Sequence, residues 1–488
     1  MAEDVTPYST VRPYMGVLPT WLSEADAERL QSYAVYENIY WNIPESFKLV
    51  FRGAENAPIY IPTGRQIVNT MNRYVGKGFG FRVDPNSGSP AEQLLAIETF
   101  GTLFKRERIV SKFHSNKRLG LIRGDWLWHI TADPEKVEGS RLTITPLDPG
   151  NYFPIYNPDN MDQLWGVDIV EQVFVAEKAY IKRQRYLKSE HPARTGLPGG
   201  PISVEIDILE IEGWETATPK FFQRGVLPYT ELPPDILAIP VYHIRNLDEP
   251  QNPFGSSEMR GMERIMSAIN QAISDEEVAL ALEGLGMYVT DGGAPIDENG
   301  DETTWQLGPG RVVEIGAGRK FDRVNGVNTV GPFQEHIAFL VDNLRQSAAM
   351  PDVAIGKVDV NVAESGVSLA LQMAPLLDLA AEKDLHIEDV MNQMLHDLRG
   401  WLKVYEGANL DNVVVMAAFG EKMPMNRKER FAELQTLHTD KVISASFYRD
   451  RLVEEFGYIF PASMEAEIQK EQEAADPFGS RMSTESEA

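Results

Sequence analysis

The chain has 488 residues, of which 43% are hydrophobic, and this is enough to build two or more compact units with their own cores. Acidic residues outnumber basic ones by 72 to 46, and the resulting net charge of −26 disfavours a tight sequence-specific reader of nucleic acid. There is no cysteine, which excludes disulfides and thiolate metal sites and is typical of a chain at home in a reducing cytoplasm.

Targeting signals are also missing from the pattern. Residues 1–20 carry Glu3 and Asp4 where a signal peptide has basic residues, and no apolar stretch follows. The most apolar window, residues 367–381, contains Pro375 and is too short and polar to span a bilayer. We expect neither secretion by a signal peptide nor a membrane partner.

The first half predicts three helices and then a sheet. Ser23 begins a helix toward Tyr36, residues 65–74 form a second, and residues 89–92 (Ser-Pro-Ala-Glu) combine a capping box with a proline in the first turn of a third. Alternating apolar residues then predict strands. The strand candidates are residues 121–130, 142–145, 165–170, 180–187, 204–211 and 236–244.

Two short motifs in this half favour turns. Residues 76–80 (Gly-Lys-Gly-Phe-Gly) have a misplaced third glycine for a dinucleotide loop, and no Walker motif is present. Residues 123–125 (Arg-Gly-Asp) precede Trp126 and Trp128, which favours a turn into a packed strand over an adhesion site.

One strand candidate is basic. It carries four cations, Lys182, Arg183, Arg185 and Lys188, with Tyr180 and Tyr186 interleaved. Such spacing can bind nucleic acid, but in an acidic protein we favour pairing with the carboxylates of a neighbouring subunit.

The next region is ordered as helix, hairpin, helix, loop and helix. Residues 256–284 predict a helix with a kink or restart at Ser274, whose spacing to Glu277 is that of a capping box. Residues 287–329 predict a small β element, and residues 332–350 a second helix bounded by prolines.

A polar loop is predicted for residues 352–366, before the longest helical pattern, residues 367–405, which Pro375 should kink. Residues 412–419 predict a strand that returns to the sheet or caps that helix, and two short helices at 427–438 and 447–456 precede an acidic tail.

Metal signals are weak. Asp297, Asn299 and Asp301 have the spacing of the first ligands of a calcium loop, but Glu302 stands where that loop needs glycine, which favours a solvated hairpin. His386 and His396 are too far apart for a zinc motif, and we interpret them as surface or interface residues.

Several stretches together resemble the portal proteins of tailed bacteriophages, closest to the type found in siphophages of actinobacteria. The resemblance spans residues 33–460 and rests on residues 121–126, 147–154, 252–257 and 363–367, together with the order of helices and hairpin. It implies a homododecameric ring at the capsid vertex of the virion, assembled in the host cytoplasm, through which double-stranded DNA is packaged and ejected. It also implies no enzyme activity, no cofactor and no metal.

The implied fold class is α+β, with a mixed α/β wing, a two-helix stem, a small β clip, a long kinked helix and a helical crown. The implied domains are the wing at residues 1–255, stem helices at 256–286 and 331–351, the clip at 287–330, the tunnel loop at 352–366, the kinked wing helix with its returning strand at 367–420, the crown at 421–461 and a flexible acidic tail at 462–488. The implied partners are further copies of the chain, the terminase large subunit, a head–tail adaptor, the major capsid and scaffolding proteins, and the DNA itself.

Two candidate sites follow from the resemblance. The residues expected to face DNA in the tunnel loop are Lys357, Val358, Asp359, Val360 and Asn361. The residues expected to dock the motor and connector from the clip are Asp297, Glu298, Asp301, Glu302 and Trp305. Lys357 is the only cation of its loop, so a ring would carry a positive belt, unless this lysine pairs with Asp359 or with Glu364 of a neighbour.

Two other functions remain open from the sequence. One is another structural ring or adaptor of the virion, in a connector or baseplate. The other is a carboxylate-dependent hydrolase, which needs two carboxyl groups about 5–10 Å apart, and the sequence designates no such pair.

Overall fold

The computed structural model describes residues 23–50, 58–175, 178–194, 200–210, 221–223, 231–247, 252–285, 287–291, 320–324, 331–357, 366–422, 427–458 and 464. The fold is α+β, as expected. The chain divides into two compact units, residues 1–422 and residues 423–488. Within the described ranges, no helix is long and apolar enough to cross a membrane.

Four helices open the first unit: α1 (Glu24–Tyr40), α2 (Thr63–Tyr74), α3 (Pro90–Arg106) and α4 (Ile109–Arg123). Ser23 caps α1, and the predicted capping box of Ser89 and Glu92 is formed at α3. The sequence prediction was wrong at residues 121–123, which end α4 and do not begin a strand. No side chain caps the start of α4, so this helix lacks the signal that identified the others.

The strands of the first half are β1 (Gly80–Val83), β2 (Asp125–Ala132), β3 (Leu142–Leu147), β4 (Tyr152–Asn157), β5 (Asn160–Val175), β6 (Lys178–Lys188), β7 (Ile202–Glu210), β8 (Phe221–Gln223) and β9 (Val241–Arg245). All of these except β1 form two sheets: a three-stranded sheet in the order β3-β2-β9 and a five-stranded antiparallel sheet in the order β4-β5-β6-β7-β8. Residues 76–80 form the predicted turn into β1, with Gly76 and Gly78 at positive φ.

Two arginines of the basic strand β6 are paired with carboxylates of its own sheet. Arg183 pairs with Asp207 of β7 at 2.7 Å, and Arg185 pairs with Asp168 of β5 at 2.6 Å. These cross-strand partners lie in the same chain, so the expected pairing with a neighbouring subunit was wrong for the two arginines. The sequence could not identify them because strand register was unknown.

The predicted order of the next region is confirmed. It comprises α5 (Glu263–Leu285), β10 (Met287–Thr290), β11 (Phe321–Val324), α6 (Gly331–Ser347) and α7 (Gly366–Glu406). Helix α5 begins at Glu263, later than the predicted Ser256, and it runs without a restart at Ser274, whose hydroxyl donates to Asn270 O. Pro375 lies inside α7, which is a single helix.

The last strand of the unit, β12 (Val415–Ala418), pairs with β1. The prediction that residues 412–419 return to the larger sheets was wrong. The strand instead lies against α7, where Ala417 N donates to Asn392 Oδ1 at 2.7 Å. In the second unit, Ser444 caps α9 (Ala445–Phe456), which is tied to α8 (Arg427–Thr439) by the ion pair of Arg430 and Glu455 at 2.9 Å. Apart from residue 464, the expected flexible tail at 462–488 lies outside the described residues.

Candidate functional site

Helices α5 and α6 pack against each other and are poorly covered by the rest of the described chain. Leu344 is the only buried residue of α6, and Phe339 is 62% exposed. On α5 the buried side chains Met266, Ile269 and Ala272 lie in the first half, whereas Leu280 is 43% exposed. A helix with so little burial is marginal in water, so the outer part of this pair is suited to contact another molecule.

The inner half of α5 is fixed by polar contacts to an extended segment. Asn270 Oδ1 accepts from Ile61 N at 2.9 Å, and Ser274 Oγ accepts from Ile59 N at 2.9 Å. Side chains four residues apart on one helix face thus replace a neighbouring strand as partners of this backbone.

Beneath α5 lies a junction of three stretches that the sequence places far apart. Arg123 is buried in this junction, with 1% of its surface exposed. Its guanidinium forms ion pairs with Glu37 Oε2 at 2.5 Å and with Asp148 Oδ1 at 2.8 Å. Gly124, with φ +106°, ends α4 against the backbone of Gly255 and Ser256. The stretches at 121–126, 147–154 and 252–257, which carry the family resemblance, therefore meet at one place.

Asp125 is the centre of this junction. Its carboxylate accepts from the Tyr33 hydroxyl at 2.5 Å and from Gly255 N at 2.8 Å, and it lies 2.6 Å from His243 Nε2. Burial, together with the nearby charge of Asp125, raises the pKa of Tyr33, which keeps the phenol protonated as a donor. The geometry shows a structural role: every oxygen faces a fixed partner in the same chain.

A second buried pair ties the junction to the long helix. Lys383 of α7 donates to Glu258 Oε2 at 2.8 Å and to Asn246 Oδ1 at 2.9 Å. Glu258 lies just before α5, so α5, β9 and α7 are held together where the helix pair begins.

The start of the predicted tunnel loop is described, and the rest is not. A short 3-10 turn, Asp352–Ile355, is fixed by Arg345 of α6, whose guanidinium lies 2.8 Å from Asp352 Oδ1. Gly356, with φ +85°, then redirects the chain to Lys357, which is exposed. Of the five predicted tunnel residues, the other four, residues 358–361, lie outside the described ranges.

The loop start shares a groove of about 310 Å³ with α2. Ile355 lies on one side, and Arg65 and Arg73 of α2 lie on the other. Sequence reasoning missed these two cations because nothing in the pattern placed α2 beside residue 355. In the described part of the chain, neither arginine is in an ion pair, so the positive charge here is not confined to Lys357.

The predicted clip is described only at its base. Strands β10 and β11 pair antiparallel from Met287 with Val324 to Thr290 with Phe321. Lys320 N donates to Asp291 Oδ1 at 2.7 Å and closes the described end. The predicted docking residues Asp297, Glu298, Asp301, Glu302 and Trp305 all lie outside the described ranges, as does the calcium-like spacing. In the residues that are described, no cluster of three or more His, Asp or Glu side chains is placed to hold a metal ion.

No protein-family model matches the chain, and no curated protein matches it. Among solved structures, it is similar to a chain in the virion of a native gene transfer agent particle, at 12% identity and a TM-score of 0.43, over 89% of this chain and 94% of that one. It is also similar to a chain in the neck of the native particle computed with C12 symmetry, at 13% identity and a TM-score of 0.44, over 80% and 89% of the two chains.

Proposed function

We propose that this chain is a portal protein of a tailed bacteriophage, a subunit of a ring at the capsid vertex that serves as a passive channel for double-stranded DNA. The observation that carries the proposal is the poorly buried helix pair α5–α6, bounded by a hairpin at one end and a short loop and a long helix at the other. This order is that of stem, clip, tunnel loop and wing helix in the family that the sequence resembles.

The charge of the chain fits a conduit. Carboxylates lining a tube repel phosphate, so DNA would slide without tight contacts that act as brakes. Lys357, with Arg65 and Arg73 near the loop start, would add a belt of weak, salt-screened contacts to successive phosphates. Work on the DNA would come from a separate ATP-driven motor, the terminase.

The clip would dock that motor during packaging and a head–tail adaptor afterwards. This rests on the acidic residues Asp297, Glu298, Asp301 and Glu302, with Trp305 as an apolar anchor. A connector or baseplate ring would share the exposed helix pair, but it would have no part in packaging.

A packaging assay with particles assembled around variant rings tests these roles. Lys357→Glu should leave assembly intact and reduce the DNA packaged or retained, because it reverses the belt. The matched control is Lys136→Glu, which makes the same charge change at a side chain that is 51% exposed in the β2–β3 turn. Failed assembly, or packaging equal to that of the control, would contradict the belt.

Deleting residues 297–304 in the same assay addresses the clip. Rings should form but fail to recruit the motor. Normal packaging would show that the clip does not dock it.

A further inference from the structure

A second cavity lies in the first unit, between the five-stranded sheet, β9 and α7. Its volume is about 720 Å³, within the range of about 300–1,000 Å³ usual for small-molecule pockets. The proposed channel function makes no use of it.

The wall of this cavity, called the basic cleft below, is positively charged, whereas the chain as a whole is negatively charged. In a protein of net charge −26, none of the described side chains lining the cleft is acidic, and Lys188 and Arg245 are both cationic. The other polar side chains of the wall include two imidazoles and four amides: His243, His386, Asn160, Gln163, Asn252 and Gln393. A cavity of donors and cations is suited to an anion.

Two carboxylates that contact residues of the wall already have hydrogen-bond partners. Asp125 lies 2.6 Å from His243 Nε2 and accepts two further hydrogen bonds in the junction. Asp397 accepts from the Tyr242 hydroxyl at 3.1 Å. Their oxygens therefore have donors within the protein, and neither side chain is among those that line the cleft.

Two of the donors are held in place. Arg245 donates through its guanidinium to Asn252 O at 3.2 Å, and its backbone N–H donates to His386 Nε2 at 3.3 Å. Since Nε2 of His386 accepts this bond, the proton of its neutral ring is on Nδ1. Lys188 makes no ion pair with any described carboxylate, so its ammonium is available to an incoming charge.

We propose that the basic cleft binds an organic phosphate of mononucleotide size. The phosphate would lie against Lys188 and Arg245, since ammonium and guanidinium groups give the strongest charge-assisted hydrogen bonds to phosphate oxygens. The volume leaves room for an attached ring, which the side chain of Tyr156, the one of the three lining tyrosines that is not buried, can contact.

Isothermal titration calorimetry of the full chain with adenosine monophosphate at low salt tests this proposal. We expect saturable binding that inorganic phosphate displaces, and a loss of about tenfold or more in affinity in Lys188→Glu. The matched control, Lys178→Glu, makes the same charge change on β6 outside the cleft and should bind as the wild type does.

Three results would overturn the proposal: no binding of the nucleotide, equal binding of adenosine without phosphate, or undiminished binding by Lys188→Glu. If Lys188→Glu does not fold, judged by its melting curve, Lys188→Gln removes the charge without reversing it, and the same outcomes apply.

Discussion

At the scale of single residues, Gly124 lies where the end of α4 meets the segment that leads into α5. An added Cβ would lie 2.6 Å from Gly255 O and 2.8 Å from the carbonyl carbon of Ser256, both of them backbone atoms that cannot move aside alone. The residue also has φ +106°, a conformation that side chains disfavour.

We expect Gly124→Ala to lower the free energy of unfolding by about 3 kcal/mol or more, because backbone strain and overlap add. Gly261→Ala is the control, since φ is +84° there but no atom lies within 4 Å of the added Cβ. It should cost only about 1–2 kcal/mol. Urea unfolding measures both, and equal losses would show that the contact with Gly255 is unimportant.

His129 makes the stability of the first unit depend on pH. It is buried on β2 beside the Tyr186 hydroxyl at 3.0 Å, and burial, with a further contribution from Lys182, lowers its pKa to about 4 from the ordinary 6.5. The folded state therefore resists protonation more than the unfolded state does. Its contribution is present above pH 6.5 and is lost as the pH falls toward 4, at up to about 1.4 kcal/mol per unit.

Urea midpoints at pH 7.5 and pH 5 check this prediction. The wild type should lose stability between them, and His129→Gln should lose less. Lys117, whose pKa burial lowers to about 8, is mostly protonated across that window and contributes equally in both proteins, so it does not affect the comparison. The same pH dependence in both proteins would exclude His129 as a source.

The sequence predicted contacts between residues close together in the chain better than contacts between distant residues. The caps at Ser23 and Ser89 were readable because all partners lie within three residues. The partners of Arg123 were not, since Glu37 is 86 positions away and their meeting depends on the packing of α1 against α4. The chain stretches involved were recognisable only through the family resemblance.

At the scale of elements, α6 is the clearest case of a helix that needs a partner. Its Phe339 is 62% exposed, so the aromatic ring contributes little to the folding of the single chain. If the ring assembles through this face, Phe339→Lys should leave the unfolding of the monomer nearly unchanged and weaken self-association.

Val137→Lys is the matched control, an apolar-to-lysine change at a residue that is 79% exposed in the β2–β3 turn. Sedimentation velocity over a concentration series compares the two. Equal association by both variants would show that the exposed face of α6 does not contact other copies.

Periodicity found most elements, and its failures have physical causes. Helix α4 was not predicted, and its last turn was taken for the start of a strand because Leu121 and Ile122 are consecutive apolar residues. Strand β12 was found, but its partner β1 lies more than 300 residues earlier, and no local pattern specifies such pairing.

At the scale of the whole molecule, buried pairs concentrate where the helix pair begins. Lys383–Glu258 and Arg123–Glu37 are each almost fully buried, and breaking such a pair leaves an uncompensated charge. These pairs can thus hold the inner half of α5 in a fixed direction, while the outer half of α5 and helix α6 remain available for contacts with other molecules. Such a division fits the proposed ring, in which each subunit would contact its two neighbours through two different faces.

The most direct test is the subunit number of the purified full-length protein, measured by native mass spectrometry together with electron microscopy of the same sample. The portal account predicts a closed ring of about twelve copies with a central hole, because heterologous contacts that close give one fixed stoichiometry. A monomer at all concentrations, or a compact oligomer without a hole, would contradict it.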